Sequence, residues 1–253
     1  MRKGMSHGAR SAMFAPLAPV GRAEAVTARL VDAITLGLLA DAERLPSEAE
    51  LAARFGVSTV TVREALVALR QLGLVETRRG RAGGSFVKAP AEPPAAGWQE
   101  TLRAVSLGDL RDIGDHYAAI AGAAARLAAD RSSTEDIQRL ELATADLRTA
   151  AGAEVARAER QFHLEVAAAA QSPRLTREEV QLQGACGGLL WLPLRPGERG
   201  GHNGGHGDGH TAHRAITAAI AAGDGDTARE LTEDHVLDAV DRLAEVHLDL
   251  VTP

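Results

Sequence analysis

The sequence predicts a mainly α protein of two modules, the first carrying one small β-hairpin and the second an antiparallel all-α bundle. Three observations lead there. Apolar residues recur at helical spacing over most of the chain. Aromatics make up only 3% of the 253 residues, so the core must be built from Leu, Val, Ile and Ala. That composition suits closely packed helices better than a β-sandwich. A proline-rich stretch, Ala89-Pro90-Ala91-Glu92-Pro93-Pro94-Ala95-Ala96-Gly97, interrupts the pattern and reads as a semi-rigid linker. The expected organisation is a flexible tail over 1–21, a first module over 22–89, a linker over 90–101 and a helical module over 102–253.

With 45% hydrophobic and 25% charged residues, the chain fits a soluble globular protein rather than a disordered or fibrous one. No uncharged apolar run approaches the roughly 20 residues a bilayer demands, so no membrane partner is expected. The single cysteine, Cys186, excludes an internal disulfide and points to a reducing cytoplasm; packing rather than reactivity is its expected role. The apolar part of the tail is broken by Pro16 and Pro19, which argues against a signal peptide. Charge is segregated. Residues 1–90 hold 13 Lys or Arg against 8 Asp or Glu, and residues 91–253 hold 15 against 26. A basic module suited to an anionic partner is therefore joined to an acidic module with another task.

Val26, Leu30, Ile34 and Leu38 form one stripe of an amphipathic first helix. Ser47 and Glu50 have capping-box spacing, so a second helix is expected to run through Phe55, with Gly56 as its C-cap. Ser58 or Thr59 can cap a third helix, whose buried stripe is Val62, Leu66, Leu69 and Leu72. Two helices about a tight turn make a helix-turn-helix. Short extended segments, Leu74 to Thr77 and Ser85 to Val87, then flank the basic tip Arg78-Arg79-Gly80-Arg81-Ala82-Gly83-Gly84, the pattern of a hairpin wing. A recognition helix inserts its N-terminal end into the major groove, and wing arginines approach phosphates or a minor groove. The expected contacts to double-stranded DNA are Ser47, Ser58, Thr59, Thr61 and Arg63, with Arg78, Arg79, Gly80 and Arg81 from the wing. One short helix and a wing read few base pairs, so a two-fold homodimer on a pseudo-palindromic operator is expected.

The stretch LPSEAELAARFGVSTVTVREALVALRQLGLVETRRGRAGGSFV, Leu45 to Val87, resembles the winged helix-turn-helix of the GntR family of bacterial transcription regulators. The resemblance implies operator binding. In that family an arginine usually follows the serine of the GVS turn and commonly reads a base; Thr59 stands there in this chain.

From Leu102 onward the pattern is helical: Ile113 to Ala129, Thr134 to Leu147, Glu154 to Ala170, part of Pro173 to Leu192, and a pair, Thr211 to Ala222 and Asp226 to Leu250, around Gly223-Asp224-Gly225. Glu159 and His163 are four residues apart and share one helix face. His213 precedes Gly223 by ten residues and His235 follows Asp226 by nine, which places both imidazoles at the same height in a helical hairpin. Any one of these histidines can be explained by packing. Their joint spacing points to a divalent metal centre held by Glu159, His163, His213 and His235, zinc first, with nickel or manganese as alternatives. The histidines of Pro196 to His210 lie among seven glycines and read as a loop, and His247 is expected to face solvent.

This arrangement is similar to the FCD ligand-binding domain of FadR-type GntR regulators, over about Ser106 to His247. That resemblance implies an Asp-x-x-x-His pair and two later histidines, with Glu159 replacing the usual aspartate. The subfamily's usual arginine on the first bundle helix, which often helps hold an effector's carboxylate, aligns with Tyr117. Tyr117 and Arg126 are the expected effector-binding residues. The leading reading is a transcription regulator whose operator affinity answers to a small carboxylate bound at a metal-containing bundle. The alternatives are a direct metal sensor and, behind it, a metal-dependent hydrolase, which leaves the wing unexplained and lacks a dependable base.

Overall fold

A computed structural model describes residues 21–80, 83–89, 98–150, 153–191 and 209–252. By packing these divide into two compact units, residues up to 31 with 44–86, and 32–43 with 87 onward. The chain belongs mainly to the α class, with one two-stranded sheet among the described residues.

In the first unit, α1 (Arg22–Thr35) buries Val26 and Leu30. Its stripe stops sooner than the spacing suggests. Gly37 adopts φ 75°, the helix ends at Thr35, Leu36 is buried instead, and Leu38 is 45% exposed. The capping box forms at α2 (Glu48–Phe55): Ser47 N–H donates to Glu50 Oε2 at 2.8 Å, and Glu50 N–H donates to Ser47 Oγ at 3.3 Å. Gly56, at φ 66°, closes the helix in the left-handed conformation that glycine adopts without strain. Ser58 caps α3 (Thr59–Gln71) by accepting from Thr61 N–H at 3.1 Å. Val62, Ala65, Leu66 and Leu69 are buried, but Leu72 is 60% exposed, because the chain turns at Gly73 and Val75 takes the next inward place. Strands β1 (Val75–Arg78) and β2 (Gly84–Val87) pair into the wing, and Arg44 bridges to Phe86 beside it.

The unit boundary differs from the expected one at residue 89. Residues 40–43 run beside Val87, with Ala42 N–H donating to Val87 O at 3.0 Å and Val87 N–H to Glu43 O at 2.8 Å, and they group with the second unit. The linker expectation also changes at its end: α4 (Trp98–Ala104) occupies its last residues and buries Leu102, while 90–97 lie outside the described residues.

The second unit holds α5 (Leu107–Arg131), α6 (Thr134–Thr149), α7 (Ala153–Ala169), α8 (Pro173–Leu182), a π-helical turn (Gln183–Gly187), α9 (Gly188–Leu190), α10 (Gly209–Ala221) and α11 (Gly225–Val251). Helices α5 and α11 pack along each other, α7 lies on α5 and α6, and α10 touches α11, α6 and α5. Small residues permit this closeness. A Cβ added at Gly114 would lie 2.9 Å from Val240 Cγ2, and Ala118, Ala121, Ala124, Ala125 and Ala128 of α5 are all buried. One apolar cluster runs from Leu102 and Leu110 through Tyr117 and Trp191 to Leu243; a second joins Ala125, Leu140, Phe162, Ile216 and Ile220.

Candidate functional site

Helix α7 presents Glu159 and His163 on one face, and the α10–α11 hairpin brings His213 and His235 opposite them. The ligand atoms of all four lie within 4.8 Å of one another, and all four side chains are buried. His213 Nε2 is 3.0 Å from Glu159 Oε2 and 3.1 Å from His235 Nε2, and His235 Nε2 is 3.3 Å from the same oxygen. Donors 2.0–2.1 Å from a common ion would be about 2.8–3.4 Å apart, for octahedral or tetrahedral geometry. His163 Nε2 is buried with no hydrogen-bond partner, which is the condition of a ligand nitrogen awaiting a cation. The donor set of three imidazoles and one carboxylate fits a divalent transition metal.

The electrostatics agree with that fit. Burial pushes the His163 and His213 pKa values down, and the proximity of the other imidazoles pushes His163 further, so both are neutral and ready to donate a lone pair. Burial alone would raise the Glu159 pKa, but hydrogen bonds from His213 and His235 outweigh it and hold the carboxylate well below its usual range. Aromatic rings fix the orientations. Phe162 stacks on His213 at 3.7 Å between ring centroids, and Trp191 stacks on His163 at 4.7 Å.

Beside the cluster lies a polar wall of Tyr117, which the sequence singled out, and Glu179 and Gln183, which it did not. Tyr117 is fully buried, its ring 6.0 Å from that of His163, and its hydroxyl donates to Glu179 Oε1 at 2.7 Å. Gln183 donates to that same Glu179 oxygen at 2.9 Å and to the Tyr117 hydroxyl, and accepts from Trp191 Nε1 at 3.1 Å. Burial pushes the Glu179 carboxyl up to about 7. The π-helical turn makes room for this: a Cβ at Gly187 would lie 2.3 Å from Gln183 Oε1, so any larger residue would displace the amide.

Profile comparison finds "Bacterial regulatory proteins, gntR family" over residues 22–87 and "FCD domain" over residues 112–238. The chain belongs to the GntR family. It is a DNA-binding transcription regulator with an FCD domain, and its family is one of regulators, not enzymes. It is 39% identical over 242 residues, 95% of this chain and 87% of the relative, to RmpR of Mycobacterium gastri, which bears the name of an HTH-type transcriptional regulator. It is 33% identical over 135 residues to the HTH-type transcriptional repressor NanR of Cronobacter sakazakii, spanning 49% of this chain and 48% of that one. Among solved structures, E. coli McbR/YncC shares the fold at TM-score 0.52 and 20% identity, over 90% of this chain and 99% of that chain.

Ser47 and Ser58 cap α2 and α3, Thr59 opens α3, and the Thr61 hydroxyl lies 2.9 Å from that of Ser58. Arg63 is exposed and engages Glu48 Oε2 through Nε at 3.2 Å and Nη2 at 2.8 Å. Arg78 pairs with Glu76 at 2.7 Å and lies over the Phe86 ring; Arg79 and Gly80 are exposed at the tip. Arg81 lies outside the described residues. The structure does not bring Arg126 to the cluster. Nine residues beyond Tyr117 is about two and a half helical turns, which points the side chain the opposite way; its guanidinium is 53% exposed and 3.4 Å from Asp226. His247 does not face solvent as expected: it is 7% exposed, with Nδ1 3.0 Å from Leu102 O. Cys186 is buried, donates to Leu182 O at 3.0 Å and is pushed up to about 12 by burial, which makes it a packing residue. The loop expected over Pro196 to His210 lies outside the described residues as far as residue 208. No helix among the described residues is long and apolar enough to cross a membrane.

Proposed function

We propose that this GntR regulator binds a two-fold operator as a homodimer, and that its operator affinity is set by a small organic acid received at a metal-containing FCD domain. The observation that carries the reading is the convergence of one carboxylate and three imidazoles, with an unpartnered His163 nitrogen, inside the bundle. Glu159, His163, His213 and His235 would hold a divalent ion, zinc first among the candidates. When bound, the ion supplies a Lewis-acidic point for an anionic oxygen. The surrounding protein does the rest: Phe162 and Trp191 hold the imidazoles in place, the apolar clusters exclude water, and Tyr117 with Gln183 presents polar groups beside His163.

On the DNA side, Ser58, Thr59, Thr61 and Arg63 lie at the start of α3 and Arg78, Arg79 and Gly80 on the wing, and we assign Arg81 of the same basic run to the DNA contact as well. Exchange of the exposed Arg63–Glu48 pair for a phosphate or base costs little, since water and salt screen such pairs. A ligand that binds one bundle conformation better than another shifts operator affinity by that difference, about 1–3 kcal/mol, or roughly 5- to 150-fold.

The test is fluorescence anisotropy on a duplex selected from a random pool, with metal-free protein, zinc-loaded protein, and zinc-loaded protein plus a panel of small organic acids. The proposal expects the zinc-loaded protein to change affinity when an acid is added, and His213→Ala to remove the response. A full response to zinc alone assigns a metal sensor instead. No response in any arm refutes the reading.

A further inference from the structure

The bundle contains a cation that neither the metal cluster nor the wing accounts for. Arg160 follows Glu159 in α7 and is only 6% exposed. Among the described residues it is the one buried lysine or arginine, it forms no ion pair, and its Nε has no hydrogen-bond partner. Arginine is almost never buried without a partner, and its guanidinium keeps its charge at any physiological pH. A buried charge left alone is costly, so an anion that reached this guanidinium would be bound favourably.

The placement of Arg160 joins it to the candidate site. It precedes His163 by three residues, so the two are neighbours on the helix surface. A Cβ at Gly187 would lie 3.3 Å from Arg160 Cδ and 2.3 Å from Gln183 Oε1, which puts the arginine stem and the glutamine amide side by side at the π-helical turn. Gln183 in turn holds Trp191, which stacks on His163. The nearby acid of this wall does not neutralise the guanidinium: Glu179 takes its hydrogen bonds from Tyr117 and Gln183.

We propose that Arg160 is the anion anchor of the effector site, holding a carboxylate of a small organic acid through its planar fork beside the metal cluster. The inference rests on the effector reading above and adds to it the residue that selects the ligand's charge. Planar, bidentate recognition of this kind is what guanidinium offers and ammonium does not.

The experiment uses the full-length, zinc-loaded protein and the variants Arg160→Gln and Arg160→Lys. Malonate, succinate, pyruvate and inorganic phosphate are titrated by calorimetry and thermal shift, with zinc content measured on every sample. At least one carboxylate should bind the wild type, Arg160→Gln should weaken it more than tenfold, and Arg160→Lys should recover only part of that loss. Both variants should keep wild-type zinc content, and without an anion Arg160→Gln should melt no lower than the wild type, since it removes an uncompensated charge. Carboxylate affinity that is unchanged in Arg160→Gln overturns the proposal, as does binding of phosphate alone or of nothing in the panel. A lower melting point of both variants without an anion overturns it too, by assigning Arg160 to the fold. Failure of the metal reading shows separately, as absence of zinc from the wild type, while Arg160 dependence remains measurable on the metal-free chain.

Discussion

Replacing His213 with alanine tests the bundle cluster most directly, because its side chain is fully buried and touches every part of the arrangement. Its Nε2 lies 3.0 Å from Glu159 Oε2 and 3.1 Å from His235 Nε2, and its ring stacks on Phe162 at 3.7 Å. Truncation leaves Glu159 with His235 alone and opens a hole against Phe162, which together should cost the metal-free protein roughly 2–4 kcal/mol. The diagnostic quantity is the further stabilisation on adding metal. At zinc a thousandfold above its Kd, a wild-type site gains about 4.1 kcal/mol. Groups that merely orient a ligand are worth 10- to 100-fold in affinity, so losing a ligand should cost at least about 100-fold. The gain then falls to about 1.4 kcal/mol. At roughly 2–4 °C per kcal/mol, that shrinks the zinc-induced rise in Tm by about 5–11 °C. Calorimetric melting in chelator and in zinc measures both quantities. Leu243→Ala, in the other apolar cluster and eight residues beyond His235, serves as a control that lowers stability without touching a ligand or its orientation. An undiminished zinc increment in His213→Ala, His163→Ala and His235→Ala alike would refute the metal assignment.

Three further outcomes are expected. Changing Arg78, Arg79 and Arg81 together to alanine should weaken DNA binding and lower the slope of log K against log salt by about 0.9 for each phosphate no longer neutralised; an unaltered slope would remove the wing from the interface. Gly56→Ala should destabilise the first unit by about 1–2 kcal/mol, since φ 66° is left-handed, and urea denaturation that shows no loss would contradict the cap. Glu179, with its folded pKa raised to about 7, gains stability on acidification, so the test uses metal-free Glu179→Gln, which should lose stability as pH falls through about 6.5. His163 and His213 have depressed pKa values in the folded state, so the unfolded chain binds more protons there. As pH falls on through the ordinary carboxylate range, Glu159 adds a second loss of the same sign, because its folded pKa is depressed as well. In a Glu179→Gln background, a melting point that rises on acidification between about pH 7 and 5 would contradict the buried, neutral imidazoles.

How far the sequence can be read depended on whether a signal was local. The capping box at Ser47, the αL glycine at Gly56 and the serine cap at Ser58 are short-range chemistry, and they fix the helix-turn-helix within a residue or so. Periodicity gave the helices but overran their ends at Leu38 and Leu72, since an apolar stripe does not register a helix terminus set by Gly37 or Gly73. The four candidate ligands were legible because i, i+4 spacing and equal distance from a hairpin turn are geometric statements. Arg160 and Glu179 were not. Charged residues are mostly exposed, and Glu179 stands among Arg174, Arg177 and Glu178 in a stretch that reads as a solvated surface. Only the packing of α8 and the π-helical turn against α7 puts them inside. Tyr117 and Arg126 share a helix but not a face, a distinction that 3.6-residue periodicity supplies.

Trp191 has a practical consequence. The chain has one other tryptophan, Trp98 in α4. The Trp191 indole lies flat against the ring of His163 and 5.4 Å from that of His235, with interplanar angles of 19° and 15°. Its emission therefore originates close beside two imidazoles whose electronic state changes when they are protonated or donate to a cation. In a Trp98→Phe background, every photon of tryptophan fluorescence would come from the wall of the candidate site. The regulator thus carries its own optical gauge of occupancy, and ligands can be screened in dilute solution without a label, an operator or a known target gene.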